Sequence, residues 1–219
     1  MIDEAQARRD ICLMGRRMYE NRMVAANDGN LSCRLDGGRF LCTPTGVSKG
    51  SMDEEMLNVI DAEGKQISGP LPCTSEIKMH LRIYRDMPNV NAVAHAHPPH
   101  VTAFAITETD IPSNILPEVE TLLGPIPTVA YATPGSGELP ENVAVHLEEG
   151  ITTMMLDHHG AVAFDKTITL AYEHLETFDA YCKILMLAKG LGGAKQLSPD
   201  QVQRLMENKK RMGLADPRM

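Results

Sequence analysis

The 219 residues contain no apolar run long enough to cross a bilayer, and residues 1–20, MIDEAQARRDICLMGRRMYE, are charged throughout with no apolar core of the secretory-signal kind. The five cysteines, Cys12, Cys33, Cys42, Cys73 and Cys182, are odd in number, widely spaced and free of any Cys-x-x-Cys pattern. That argues against a disulfide framework and against a cysteine-built zinc site, so they read as reduced, mostly buried thiols of a cytoplasmic protein. Basic residues are scattered apart from ENKKRMG near the end, and the formal net charge is −8. Nucleic acid therefore has no footprint here, and an anionic membrane surface is a poor partner. No Gly-x-Gly-x-x-Gly or Walker A pattern occurs; Gly190, Gly192 and Gly193 follow a helical stretch, as helix-ending glycines do. There is no repeat, low-complexity stretch or linker, and the length suits one domain over residues 1–219.

What is present is an interleaving of helical and extended segments. Residues 3–22 have the periodicity of an amphipathic helix, and LSCRLDGGRFLCTP reads as a hairpin turning at Asp36-Gly37-Gly38. Ser51-Met52-Asp53-Glu54 fits a capping box for a short helix, LNVID a strand, and TSEIKMHLRIYRDM a helix. A helix is expected from about Val101, then a loop with Pro112 and Pro117, a strand over IPTVAYA, a further helix after the TPGSGEL loop, and a strand pair around Gly160. From Thr167, Ile168, Ala171, Leu175, Phe178, Cys182 and Leu185 form an apolar stripe, with His174 reading as structural. Ser198-Pro199-Asp200-Gln201 is a capping box that opens the last helix. The mixture of hairpins and crossovers predicts a mixed sheet with helices on both faces.

The stretch AVAHAHPPH carries the first chemical signal. Residues 91–97 have the small and β-branched make-up of a buried strand, so His95 and His97 point the same way, and Pro98-Pro99 ends the strand and leaves both at its rim. An isolated His-x-His is as often a hydrogen-bonded pair as a metal site, and more ligands are needed to decide. LDHHGAVAF supplies them: His158 and His159 should face opposite ways, so at most one joins the pair, beside a glycine that permits close backbone approach. Three imidazoles with an open position suit a catalytic divalent ion. In PCTSEIKMH, Glu76 lies in the first turn of a helix behind Thr74 and Ser75. It reads as a plain helix-dipole residue or as a base, while the helix start and the loops DGNLS and TPTGVS could close around a phosphate.

The ordered set GNLS, TPTG, TSE, HAHPPH, YATPGSGEL and HHG, running through nearly the whole chain, resembles the class II aldolase and adducin superfamily. The resemblance implies a three-layer α/β/α fold with a central mixed, largely antiparallel sheet, and a C4 homotetramer with sites at subunit interfaces. It implies metal ligands at His95, His97 and His159, leaving His100 and His158 out, with Glu76 as acid/base and sometimes fourth ligand. Imidazole suits zinc, and an added carboxylate oxygen would suit manganese too. It implies a phosphate pocket from Asn30, Thr45, Gly46, Thr74 and Ser75, and a Tyr131 delivered from a neighbouring subunit.

The implied reaction is retro-aldol cleavage of a ketose 1-phosphate to dihydroxyacetone phosphate and a small aldehyde through a metal-stabilised enediolate. A pentulose-phosphate 4-epimerase, a dehydratase and a decarboxylase of the same superfamily are the alternatives, followed by a non-enzymatic adducin-like scaffold, which should lack the metal histidines kept here. Two departures stand out. Thr74 replaces a serine but keeps the hydroxyl, and NILPEVETLLGPIP offers carboxylates at Glu118 and Glu120 in a region where epimerases place an acid. Glu76 instead of aspartate favours the aldolase. The His-x-His-x-Asp-His pattern of metallo-β-lactamase-like hydrolases fails at Pro99, which takes the aspartate position.

Overall fold

The computed structural model describes residues 3–107 and 109–219. Helix α1 spans Glu4–Glu20, capped by Asp3, whose carboxylate accepts from the Gln6 amide. Strands β1 (Asn30–Arg34) and β2 (Phe40–Cys42) form the expected hairpin around Asp36–Gly38, followed by β3 (Asn58–Ile60) and β4 (Gln66–Ser68). Then come α2 (Ile77–Asp86), β5 (Ala92–Ala96), α3 (Pro99–Ala105), α4 (Pro117–Leu122), β6 (Thr128–Val129) and α5 (Glu138–Ala144). Strands β7 (Thr153–Leu156) and β8 (Gly160–Asp165) precede the long α6 (Ile168–Lys189) and the final α7 (Pro199–Arg211).

The strands make one sheet in the order β4-β3-β2-β1-β5-β8-β7-β6, antiparallel throughout except for the β6–β7 pair. Period-two alternation sorts its side chains onto two cores. Leu31, Cys33, the alanines Ala92, Ala94 and Ala96, and Ala161 and Ala163 face α1, α3, α4 and α6. Val93, Val162 and Phe164 face α2 and α5. The α/β/α layering with a mixed, largely antiparallel sheet is thus as the sequence led us to expect. The five alanines let α6 lie close on the sheet, and every residue of the stripe from Ile168 to Leu185 is buried.

Several boundaries differ from expectation. Ser51–Glu54 starts no capped helix; only a single 3-10 turn forms at Glu54–Met56, without a side-chain cap. Helix α3 starts at Pro99, because a proline at the first helical position needs no amide partner. The loop between Pro112 and Pro117 gives way to α4 for the same reason. The IPTVAYA strand shrinks to two residues at the sheet edge, where only β7 is available as a partner.

The C-terminal segment is fastened by buried charges. Lys209 Nζ donates to Asp216 Oδ2 at 2.8 Å and to the Glu120 carbonyl at 3.0 Å. Arg218 reaches both Asp216 Oδ2 (2.7 Å) and Glu120 Oε2 (2.8 Å). Glu120 therefore serves this clasp and not the expected histidine site, and Glu118 is exposed on α4.

Candidate metal centre

Strand β5 delivers His95 on the α2 face of the sheet, and the chain leaves the strand just before His97, whose amide donates to the Met23 carbonyl. The two rings meet with Nε2 atoms 3.1 Å apart. His95 Nδ1 lies 2.9 Å from the Ala161 carbonyl, which can only accept, so this nitrogen carries a proton and Nε2 is the ring atom turned toward the site. His97 Nδ1 is steadied by Asp28 Oδ2 at 3.4 Å.

The third imidazole comes from the turn between β7 and β8. His158 and His159 do not continue a strand as the alternation argument assumed; with Asp157 they form a three-residue hairpin loop between paired Leu156 and Gly160. His158 sits at φ 53° and is turned outward, whereas His159 is turned inward. Gly160 makes this possible, because a Cβ there would meet the Ala96 carbonyl at 2.4 Å and the His97 ring at 2.9 Å. One ring nitrogen from each of His95, His97 and His159 lies within 4.8 Å of the other two, the only such cluster among the described residues. His100 is engaged elsewhere, with Nδ1 2.7 Å from Asp179, and His174 pairs with Asp165 at 2.8 Å.

Glu76 stands one residue earlier than expected, at the position preceding α2, and its side chain caps nothing. Its carboxylate turns inward, with Oε2 3.2 Å from His95 Nε2 and 2.8 Å from the amide of Asn30 Nδ2, and Oε1 3.4 Å from His159 Nε2. Burial would raise its pKa, but His95, His159 and Asn30 hold it far below the ordinary carboxylate range. Burial also opposes charge on His95, yet Glu76 more than offsets this and its pKa rises. His97 and His159 fall below their ordinary values, first through burial and then through His95, with His159 reaching about 4. At neutral pH the site therefore offers an ionised carboxylate beside two neutral imidazoles. Buried Glu76 Oε1 and His159 Nδ1 have no hydrogen-bond partner among the described residues, and this donor set fits a divalent cation.

A cavity of about 320 Å³ opens above these residues, lined by Asn30, Thr45, Thr74, Ser75, Glu76, His97, His159, the Asn27–Gly29 loop and Pro134. Four of the five expected phosphate-pocket residues line it; Gly46 does not. Tyr131 is half-exposed outside it, its ring edge-on to His158 at 6.2 Å between centroids. Three contributors escaped the sequence reading. Asp28 orients His97. His80, fully buried one turn after Glu76, places Nδ1 2.7 Å from Ser32 Oγ. Lys49, 1% exposed, donates to the carbonyls of Val47 (2.7 Å) and Asn27 (3.2 Å), tying together the two loops that flank the cavity. Burial pushes its pKa down to about 8 against the pull of Asp28. Nothing in the spacing of TPTGVSKG marks this lysine as buried; only the closure of the two loops does.

Comparison with known proteins places this arrangement. The chain is 31% identical over 211 residues to the 3-oxo-tetronate 4-phosphate decarboxylase of Pectobacterium atrosepticum, covering 94% of each chain. It is 34% identical over 209 residues to the L-fuculose phosphate aldolase of Escherichia coli K12, covering 94% of this chain and 93% of that one. Its fold superposes on the crystal structure of YgbL from Escherichia coli with a TM-score of 0.85 at 25% identity, over 92% of this chain and 98% of the other. The family profile described as the Class II Aldolase and Adducin N-terminal domain matches residues 9–186, a span that holds all three histidines, Glu76 and every cavity residue. The chain belongs to the class II aldolase and adducin family.

Proposed function

We propose that this protein is a divalent-metal-dependent lyase that cleaves the bond between the carbons α and β to the ketone of a sugar phosphate. The favoured substrate is a ketose 1-phosphate, split to dihydroxyacetone phosphate and a small aldehyde. The observation that carries this reading is the Glu76 carboxylate lying against His95 and His159 at the floor of a cavity walled by Thr45, Thr74 and Ser75.

In this reading His95, His97 and His159 hold the ion, zinc or manganese, with Glu76 able to add an oxygen. When bound, the ion supplies Lewis-acid charge for the substrate's hydroxyketone oxygens. The hydroxyls of Thr45, Thr74 and Ser75 and the amide of Asn30 bind and orient the phosphate half, with the loop at Gly46 following Thr45, so remote binding energy positions the bond to be broken. Lys49 draws the Val47 and Asn27 carbonyls away and gives an otherwise acidic protein a local positive charge. Glu76, ionised before the reaction, takes up the proton that the hydroxyl of the aldehyde half loses as the bond breaks and returns it to the carbon freed by cleavage. Tyr131, contributed by a neighbouring copy in a C4 homotetramer, serves the oxygen of the aldehyde half. The setting is cytoplasmic, and residues 1–219 act as one domain.

The similarity to a 3-oxo-tetronate 4-phosphate decarboxylase supports a second reading, in which carbon dioxide departs in place of the aldehyde. Loss of either group leaves the same hydroxyketone phosphate; carbon dioxide leaves without a proton, so the proton that reaches the freed carbon is taken up from solvent and passed on by Glu76. The test is a panel of ketose 1-phosphates beside 3-oxo-tetronate 4-phosphate, with dihydroxyacetone phosphate, carbon dioxide and metal content measured together. Aldehyde release with dihydroxyacetone phosphate supports the aldolase, and carbon dioxide release moves the assignment to the decarboxylase. Absence of dihydroxyacetone phosphate from every compound overturns both.

A further inference from the structure

Two cysteines that the sequence gives no reason to pair meet beside the cavity. Cys42 closes β2 and is fully buried, and Cys73 lies 31 positions later, partly exposed, with their sulfurs 3.1 Å apart. Their chain neighbours are the pocket itself: Thr43-Pro44-Thr45 follows Cys42, and Thr74-Ser75-Glu76 follows Cys73. The two segments already touch through a bridge between Pro44 and Cys73 and through the Thr45 amide, which donates to the Pro72 carbonyl at 3.0 Å.

We propose that Cys42 and Cys73 form a reversible disulfide under a peroxide, stapling together the two loops that wall the candidate site. Reaction begins at Cys73, the reachable sulfur. The contact with Cys42, and after it the Thr74 amide, lower its pKa against its own burial, while the same contact and burial raise that of Cys42. The Cys73 thiolate takes one oxygen from the peroxide, whose O–O bond breaks and whose other oxygen leaves as hydroxide or alkoxide and is protonated. The Cys42 sulfur then attacks the sulfenic sulfur of Cys73. The S–O bond breaks, the S–S bond forms, and the hydroxyl departs as water with the Cys42 proton. Two thiols are oxidised by two electrons, and one peroxide is reduced. The other three cysteines have no thiol partner among the described residues.

The full chain is treated with hydrogen peroxide, quenched, alkylated and mapped without reduction. The expected result is loss of the mass of two hydrogens, a fall in free thiols from five to three, and a Cys42–Cys73 linked peptide that disappears with dithiothreitol. Amide exchange over residues 43–46 and 73–77 should slow on oxidation and recover on reduction. In Cys42→Ser the reaction should stop at a sulfenic acid on Cys73 that dimedone traps, and in Cys73→Ser residue 42 should stay reduced. A wild-type product carrying one added oxygen on Cys73 with Cys42 still alkylatable overturns the proposal. So does a wild-type protein that keeps both thiols at a dose that labels Cys73 in Cys42→Ser. None of these readouts depends on turnover, so they stand or fall apart from the proposed reaction.

Discussion

Glu76 Oε2 lies 3.2 Å from His95 Nε2, joining the start of α2 to a central strand of the sheet within reach of a single proton. Because Glu76 caps no amide, its orientation is accounted for by the site and not by helix stability. Glu76→Gln should keep the fold and the bound metal but lower turnover by about 10²–10⁴-fold, the usual contribution of a general acid/base. Circular dichroism, metal analysis and steady-state kinetics on one preparation decide it; a near-normal rate would reduce Glu76 to a packing residue.

Metal content should separate the histidines. Substituting His95, His97 or His159 with alanine should abolish stoichiometric zinc or manganese after dialysis, while His100→Ala and His158→Ala retain it. Plasma emission spectrometry gives the answer without any substrate. Metal lost from His158→Ala but kept by His159→Ala would reverse the assignment.

Tyr131→Phe should slow cleavage with little change in phosphate binding, because the phenol serves only the aldehyde half. Mixing inactive Tyr131→Phe and Glu76→Gln oligomers under conditions of subunit exchange should restore part of the activity. Exchange verified by native mass spectrometry without recovered turnover would leave Tyr131 an ordinary surface residue.

Lys49→Met removes the donor that holds the Val47 and Asn27 carbonyls. A hydrogen bond to a charged group is worth about 1.5–3 kcal/mol, so KM for the phosphorylated substrate should rise by about tenfold or more while kcat changes less. A fall in kcat at constant KM would place the lysine's influence on the metal side of the cavity.

The C-terminal clasp should be sensitive to acid. Burial alone would raise the Asp216 carboxyl above 3.8, but Arg218 and Lys209 hold it well below. A depressed carboxylate contributes stability that is complete above its unfolded value and is lost as pH falls through the folded one. Unfolding free energy should therefore decline below about pH 4 more steeply in wild type than in Asp216→Asn. At neutral pH Asp216→Asn, which leaves Lys209 buried without its anion, should cost about 3–5 kcal/mol. Urea unfolding at both pH values measures the two effects, and equal slopes would dismiss the clasp as a source of acid sensitivity.

How much was legible depends on whether the cause is local. His95 and His97 could be paired because strand alternation is fixed by the backbone alone, and the tight contact at Gly160 could be read from its missing side chain. The direction of Glu76 could not, since it depends on Asn30, 46 positions away at the start of β1. His158 was expected outside the cluster and is turned outward, but by a different cause: a three-residue loop with a left-handed turn at His158, not the pleat of a strand. Helix α4 carried a usable signal, a proline followed by two acidic residues in the first turn, which the neighbouring prolines masked. Lys49 and Asp28 sit in loops whose closure is a tertiary fact, and no spacing rule reaches them.

The alanine face of β5 and β8 has a consequence for the other side of the sheet. Ala94 and His95 are consecutive, so the residue that sets the clearance of α6 and the residue that aims an imidazole share one peptide plane. A single methylene added at Ala94 must either lift the helix or drive the strand backward, and the second outcome carries His95 toward Glu76 without altering any polar group. Drift among five small side chains on the far side can thus retune the spacing of the reacting groups, so the rear layer acts as the adjusting screw of the front one.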